Sequence, residues 1–160
     1  MHHHGYLWTG PKNRFDEERL RRPPHPDPPQ AATPGDVQAG RLQDRYREAA
    51  AEFPVIGLPP LETAQWLMKP KVVVRGTWQE PKEAADWLGR HLARHAPRFD
   101  SAAQRGTTHL ALLVNSATER LSWGGDVSLG FYLERPVFLS LALVTCSPNR
   151  SAPGLSCPAR

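Results

Sequence analysis

Two apolar runs separated by a short polar turn constrain the fold more than any other part of the chain. Residues Val127–Thr145 read VSLGFYLERPVFLSLALVT, and Glu134-Arg135-Pro136 divides the two runs. This is the pattern of a β-hairpin. The second run, Pro136–Thr145, is apolar at nearly every position, so both of its faces must be covered by other parts of the protein. The sequence therefore predicts a packed domain in the C-terminal half, with the second run as its central strand.

The other apolar segments predict helices and one further strand. Lys71–Arg75 has the β-branched content of a strand. Four segments have helix-like apolar spacing or helix-start signals: 36–53, 61–68, 82–95 and 101–121. The expected fold class is α+β, with a small three-stranded antiparallel sheet in β-α-α-β-β order packed by helices. That order is similar to the order in KH-type RNA-binding domains, but the linker 96–100 lacks their Gly-x-x-Gly loop, so no family is assigned.

Proline marks the two flanks of this domain. The 160 residues include 17 prolines, which concentrate in Pro23–Pro34 and Ser147–Pro158. Consecutive prolines fix φ and remove N–H donors, and they therefore oppose both helices and sheets. The sequence predicts a Pro/Arg-rich N-terminal arm over residues 1–35 that is partly disordered, a single domain over residues 36–146, and a short irregular C-terminal tail over residues 147–160.

Charge and hydropathy bound the classes of partner. The net charge is +4 and the pI is near 9.4, a mild basic balance that fits nucleic acid, an acidic protein or no partner. The longest apolar stretch, Val137–Val144, is too short to span a bilayer. The N-terminus lacks the charged and apolar regions of a secretory signal. A cytoplasmic protein without a membrane partner is expected.

A stripe of arginines is the strongest functional signal in the sequence. Arg90, Arg94 and Arg98 recur every four residues at the end of a predicted helix, and Arg105 follows shortly after it. Guanidinium groups in such a stripe can bind phosphates or other anions. Cations near a helix C-terminus are equally typical of a solvated face that offsets the helix dipole. Both interpretations stay open at this stage.

The N-terminus combines histidines with apolar residues. His2-His3-His4 can bind Cu(II) or Ni(II), but a run directly after Met1 is interpreted here as a tag remnant or an incidental run. Tyr6, Leu7 and Trp8 are too apolar for a solvated tail, so this arm is expected to lie along the domain or against a partner chain.

The remaining candidates for chemistry lack a complete pattern. His91 and His95 have the one-turn spacing of metal ligands, but no third ligand is evident nearby. Cys146 is interpreted as a buried structural cysteine in preference to a nucleophile, and a disulfide with Cys157 is not favoured in a reducing compartment. The sequence analysis therefore assigns no catalytic residue, no metal ligand and no cofactor.

These observations lead to three function hypotheses. The first is a small non-enzymatic accessory or regulatory protein that binds a protein partner or a second copy of itself, for example through an exposed sheet edge. The alternative is a nucleic-acid-binding protein that uses the arginine stripe. The third is a small enzyme whose site is assembled from residues that the sequence does not bring together.

Overall fold

A four-stranded antiparallel sheet organises the protein. The structure, a computed structural model, describes residues 1–160. The strands in chain order are β1 (His2–Pro11), β2 (Gly76–Trp78), β3 (Val127–Tyr132) and β4 (Val137–Cys146). They lie in the spatial order β2-β1-β4-β3, and every neighbouring pair is antiparallel.

The prediction of a three-stranded sheet is wrong, because the chain starts with a strand. β1 lies inside the sheet and pairs with β4 along its whole length, from His2 opposite Cys146 to Pro11 opposite Val137. Both faces of β1 are covered in its first half, where the residues from His3 to Tyr6 are buried, so this part lacks the polar and apolar alternation of a half-buried strand. Its three histidines made the segment look polar.

Five α-helices and several 3-10 turns complete the fold. The helices are α1 (Lys12–Phe15), α2 (Glu18–Arg21), α3 (Val37–Glu52), α4 (Pro81–His95) and α5 (Thr107–Ser122). The 3-10 helices are Thr63–Met68, Lys71–Val73, Ala96–Arg98 and Ala102–Gln104. No helix combines the length and the apolar character that a membrane-spanning helix requires.

The hairpin and the central position of its second strand are confirmed. β3 and β4 pair in antiparallel register, with Leu129 opposite Leu141. From β2 onward the element order is the predicted β-α-α-β-β. The local apolar pattern was sufficient to predict this hairpin, because a strand covered on both faces has a continuous apolar run in its sequence.

Two boundaries and the burial of one helix differ from the prediction. Lys71–Val73 forms a 3-10 turn and the strand begins only at Gly76; Val72 is 83% exposed, so its β-branched side chain packs on nothing. The helix predicted from Ser101 begins at Thr107, because Gly106 is its N-cap. The helix predicted over 36–53 forms as α3, but none of its residues is buried and only Phe53, just after its end, reaches a core position.

The sheet separates two cores. On one face, α4 and α5 cover Leu139, Leu141 and Leu143 of β4, together with Phe131 of β3. On the other face, the 3-10 helix Thr63–Met68 and the C-terminal segment cover a smaller cluster. That cluster contains Tyr6, Trp66, Leu67, Ala142, Val144 and Cys146. The molecule therefore has a helical layer, a sheet and an irregular layer, and the irregular layer contains the C-terminal tail.

Candidate functional site

Two histidines and two cysteines meet at one end of the sheet, on the face of the irregular layer. The metal-binding atoms of His2, His4, Cys146 and Cys157 all lie within 4.8 Å of one another. His2 Nε2 is 3.1 Å from His4 Nε2 and 3.3 Å from the Sγ atom of Cys157. His4 Nε2 is 3.4 Å from the same sulfur. We call these four residues the His/Cys cluster.

The strand period places both histidines on the same face. Alternate residues of a strand point to one side, so the spacing His-x-His in β1 projects His2 and His4 together. Cys146 lies directly opposite His2 in β4 and joins them from the neighbouring strand. His3 points to the other face, where its Nδ1 is 2.9 Å from Thr145 Oγ1. The third histidine therefore does not belong to the cluster.

The C-terminal tail brings the fourth residue. After β4 the chain reverses around Asn149, whose buried side-chain amide donates to the Thr145 carbonyl oxygen at 2.7 Å and to the Asp126 carboxylate at 3.0 Å. The Asn149 Oδ1 atom accepts hydrogen bonds from the backbone N–H groups of Ser151 and Ala152, both at 2.9 Å. This anchored turn directs the tail back along β4, and Cys157 returns to Cys146.

Thr77 orients one of the imidazoles. It lies opposite His4 in β2, and its Oγ1 is 2.8 Å from His4 Nδ1. When His4 Nδ1–H donates to that hydroxyl, the Nε2 atom is left with its lone pair facing the cluster. Histidine ligands of metal ions are usually held by such a hydrogen bond from the other ring nitrogen.

Burial favours the neutral forms of His4 and Cys146 when no cation is bound. Burial lowers the pKa of His4 to about 4, with a smaller contribution from the charge of His2. Burial likewise raises the pKa of the Cys146 thiol above its ordinary value. A neutral imidazole is the form that binds a metal, and a bound divalent cation favours the thiolate outright.

The separations among His2, His4 and Cys157 fit three ligands of a tetrahedral metal ion. Metal bonds of about 2.0–2.1 Å to nitrogen and about 2.3 Å to sulfur, at tetrahedral angles, place two nitrogens about 3.3 Å apart and nitrogen and sulfur about 3.6 Å apart. The observed distances of 3.1, 3.3 and 3.4 Å lie close to these values. The Cys146 Sγ atom lies within 4.8 Å of the other three donor atoms and completes a set of two sulfurs and two nitrogens, which is typical of zinc.

A second feature, on the helical side of the molecule, is a groove with cationic walls. It has a volume of about 510 Å³. Its walls are Leu7, Arg75, Trp87, His91, Arg94, His95 and Arg98. No carboxylate is among them. We call this feature the cationic groove.

The structure separates the four arginines of the predicted stripe. Arg94 and Arg98 line the cationic groove, whereas Arg90 lies next to it on the exposed face of α4. Arg98 is also bound to Glu134, with Nε 2.9 Å from Oε1 and Nη2 2.8 Å from Oε2. The Arg98 guanidinium lowers the pKa of Glu134 to about 2. Arg105 donates from Nε to the Phe99 carbonyl oxygen at 2.7 Å and holds the loop before α5.

Sequence reasoning missed the His/Cys cluster and one groove arginine. The available signal for the cluster was His-x-His at the strand period, together with a cysteine at the end of the central strand. It was overlooked because the N-terminus was interpreted as an arm. Arg75 was placed at the end of a strand, but it lies in the connection before β2 and faces the end of α4.

The chain matches no protein family, curated protein sequence or solved structure with which it was compared.

Proposed function

We propose that this protein binds one zinc ion in the His/Cys cluster, and that the zinc-bound domain is a non-enzymatic binding module. The observation that carries the proposal is the convergence of four metal-binding atoms from three separate segments within 4.8 Å. The sequence brings His2 and His4 close together, but Cys146 and Cys157 lie more than a hundred residues away.

A structural role for the ion follows from the number of protein ligands. Structural zinc sites have four protein ligands, whereas catalytic sites have three and leave one position for water or substrate. The His/Cys cluster supplies four. Two of them, His4 and Cys146, are buried, and Thr77 orients His4 from outside the cluster. The ion therefore would cross-link β1, β4 and the C-terminal tail.

The same atoms have a second arrangement without a metal, namely a Cys146–Cys157 disulfide. Both cysteines are free thiols in the structure. A disulfide would leave His2 Nε2 and His4 Nε2, 3.1 Å apart, to share one N–H···N hydrogen bond, whereas a cation would use all four groups as ligands. The metal content of the protein decides between the two arrangements.

The test is the metal content of untagged protein purified under reducing conditions. We expect one zinc per chain by atomic absorption. We also expect the visible ligand-field and thiolate charge-transfer absorption of tetrahedral cobalt when Co²⁺ replaces zinc. His4→Ala and Cys146→Ser are expected to lose both signals, and His25→Ala, which changes an exposed histidine outside the cluster, is expected to keep them.

Two results would contradict the proposal. One is fully reduced, folded protein that contains no zinc and shows no tetrahedral cobalt spectrum. The other is a zinc content that is the same in His4→Ala and in the unchanged protein. The expectation that the module binds a protein partner or a second copy of itself stays a prediction, which sedimentation of the zinc-bound protein would test for self-association.

A further inference from the structure

We propose that the cationic groove is a binding site for the phosphate group of a ligand of nucleotide size. The groove is on the opposite side of the sheet from the His/Cys cluster, so this inference does not depend on zinc. Its evidence is the convergence of Arg94 and Arg98, from the end of α4 and the 3-10 turn that continues it, with Arg75 from the segment before β2, in a groove that two apolar residues also line.

The arginines of the groove come from different parts of the fold. Arg75 precedes β2, Arg94 is in the last turn of α4, and Arg98 is in the 3-10 helix that follows. A solvated helix face consists of residues from one helix. Here Arg75, which belongs to a different segment, lies beside Arg94 and Arg98, and this distinguishes the groove from a stripe on a single helix. Several guanidinium forks that converge on one space are suited to the oxygens of a phosphate.

Most of this charge is not neutralised within the protein. Arg75 and Arg94 make no ion pair, and Arg98 shares the exposed carboxylate of Glu134. The groove therefore holds two unpaired guanidinium groups with no carboxylate in its lining.

His91 lies at the centre of this charge. Its ring is 4.6 Å from the Trp87 ring and 6.1 Å from the His95 ring, measured between centroids. The Nδ1 atom of His91 is buried and has no hydrogen-bond partner. Burial lowers the pKa of His91, and the charges of His95, Arg94, Arg90 and Arg75 lower it further. These are the cations that face His91, and a bound anion would relieve their repulsion.

The volume and the apolar lining of the groove indicate a ligand larger than an inorganic ion. A volume of about 510 Å³ is within the usual range for small-molecule sites, about 300–1,000 Å³. Leu7 is half-buried and supplies apolar surface in the groove, and the ring of Trp87, which is 6% exposed, lines it from the core. Such a combination suits a phosphate ester whose other part is flat and weakly polar, as in a nucleotide. The phosphate group would belong either to a free nucleotide or to a residue of single-stranded nucleic acid.

The experiment is calorimetric titration of the purified protein at low ionic strength with three probes: inorganic phosphate, adenosine monophosphate and a ten-nucleotide single-stranded DNA. We expect adenosine monophosphate to bind more tightly than phosphate. Tighter binding of the DNA, with an affinity that falls as salt rises, would identify nucleic acid as the source. Equal binding of the DNA and the nucleotide would identify the free nucleotide.

Matched variants separate the groove from the general charge of the protein. The double substitution Arg75→Ala/Arg94→Ala is expected to weaken nucleotide binding at least tenfold. Arg41→Ala/Arg47→Ala removes two exposed arginines from α3 and is expected to change it less than twofold. Arg98 is left unchanged, because its ion pair with Glu134 joins two parts of the fold. The circular dichroism spectrum and the melting temperature show that each variant is folded.

Absence of binding by all three probes would overturn the proposal, and so would an equal loss of affinity in the two double variants. Either result leaves the zinc proposal untouched, since the metal content is measured on the same samples.

Discussion

At the scale of single residues, Thr77 is the most informative position for the metal centre. It contacts His4 but is not itself in the His/Cys cluster. Thr77→Val removes the hydroxyl and keeps the shape, so His4 loses the partner that holds its Nδ1–H. We expect zinc affinity to fall about 10–100-fold, the usual effect of losing such a hydrogen bond.

Competition with a chromogenic chelator measures this change in affinity. Thr77→Ser retains a hydroxyl and is expected to restore most of the affinity. Thr9→Val, at an exposed threonine of β1, is the control for a hydroxyl removed elsewhere from the sheet. An unchanged affinity in Thr77→Val would show that packing alone orients His4.

Lys69 is a buried cation outside both candidate sites. Only 2% of it is exposed, and its Nζ donates to the carbonyl oxygens of Phe53 and Ile56, the latter at 2.8 Å. Burial lowers the pKa of Lys69 from 10.5 to about 8. Between these two values the unfolded chain binds a proton that the folded protein does not, so the free energy of unfolding rises with pH in this window.

Lys69 is expected to make the free energy of unfolding rise by at most about 1.4 kcal/mol per pH unit between pH 8 and 10.5. Below pH 8 the cost of the buried charge is constant. Urea denaturation at several pH values measures the slope. Lys69→Met should remove this contribution to the slope, and Lys71→Met, at an exposed lysine nearby, should retain it. Identical slopes in the two variants would mean that Lys69 keeps an ordinary pKa in the folded protein.

At the scale of elements, the long helices α3 and α4 contribute very differently to stability. Leu88 of α4 is fully buried between α5 and the sheet, whereas Leu42 of α3 is 49% exposed. Leu88→Ala is expected to cost about 2–5 kcal/mol, because it removes buried methyl groups and leaves a cavity. Leu42→Ala should change stability by less than about 0.5 kcal/mol. Chemical denaturation compares the two, and a similar cost would mean that α3 packs against a surface not seen here.

At the scale of the whole molecule, the His/Cys cluster joins the first strand to the C-terminal segment. A ligand that binds only the folded state stabilises it, by about 4 kcal/mol at a free concentration a thousand times its Kd. For a chain of this size, removal of zinc should then lower Tm by roughly 10 °C. Calorimetry with and without a strong chelator measures this shift.

Cys157→Ser supplies the control for this shift. The variant lacks the tail ligand, so its Tm should start lower and respond little to the chelator. A large chelator effect that persists in Cys157→Ser would place the metal elsewhere in the protein.

The candidate sites show how far sequence reasoning reaches. Arg94 and Arg98 were identified from their four-residue spacing, which a helix converts directly into proximity. Arg75 was missed because no local pattern connects it with α4. Arg105 was included because of its charge, yet it holds a loop. Spacing within one helix is readable from sequence, whereas contact between elements depends on how they pack.

The sequence by itself determined the β3–β4 hairpin, the central position of β4 and the α4 helix, because each follows from apolar periodicity within a short segment. Only the tertiary structure decided that His2–Pro11 is a strand, because its evidence is the pairing with β4 more than a hundred residues later. The same pairing, with the turn around Asn149, assembles His2, His4, Cys146 and Cys157. Contacts between residues that are distant in the sequence produce no periodic pattern in it. The candidate metal centre is formed mainly by such contacts.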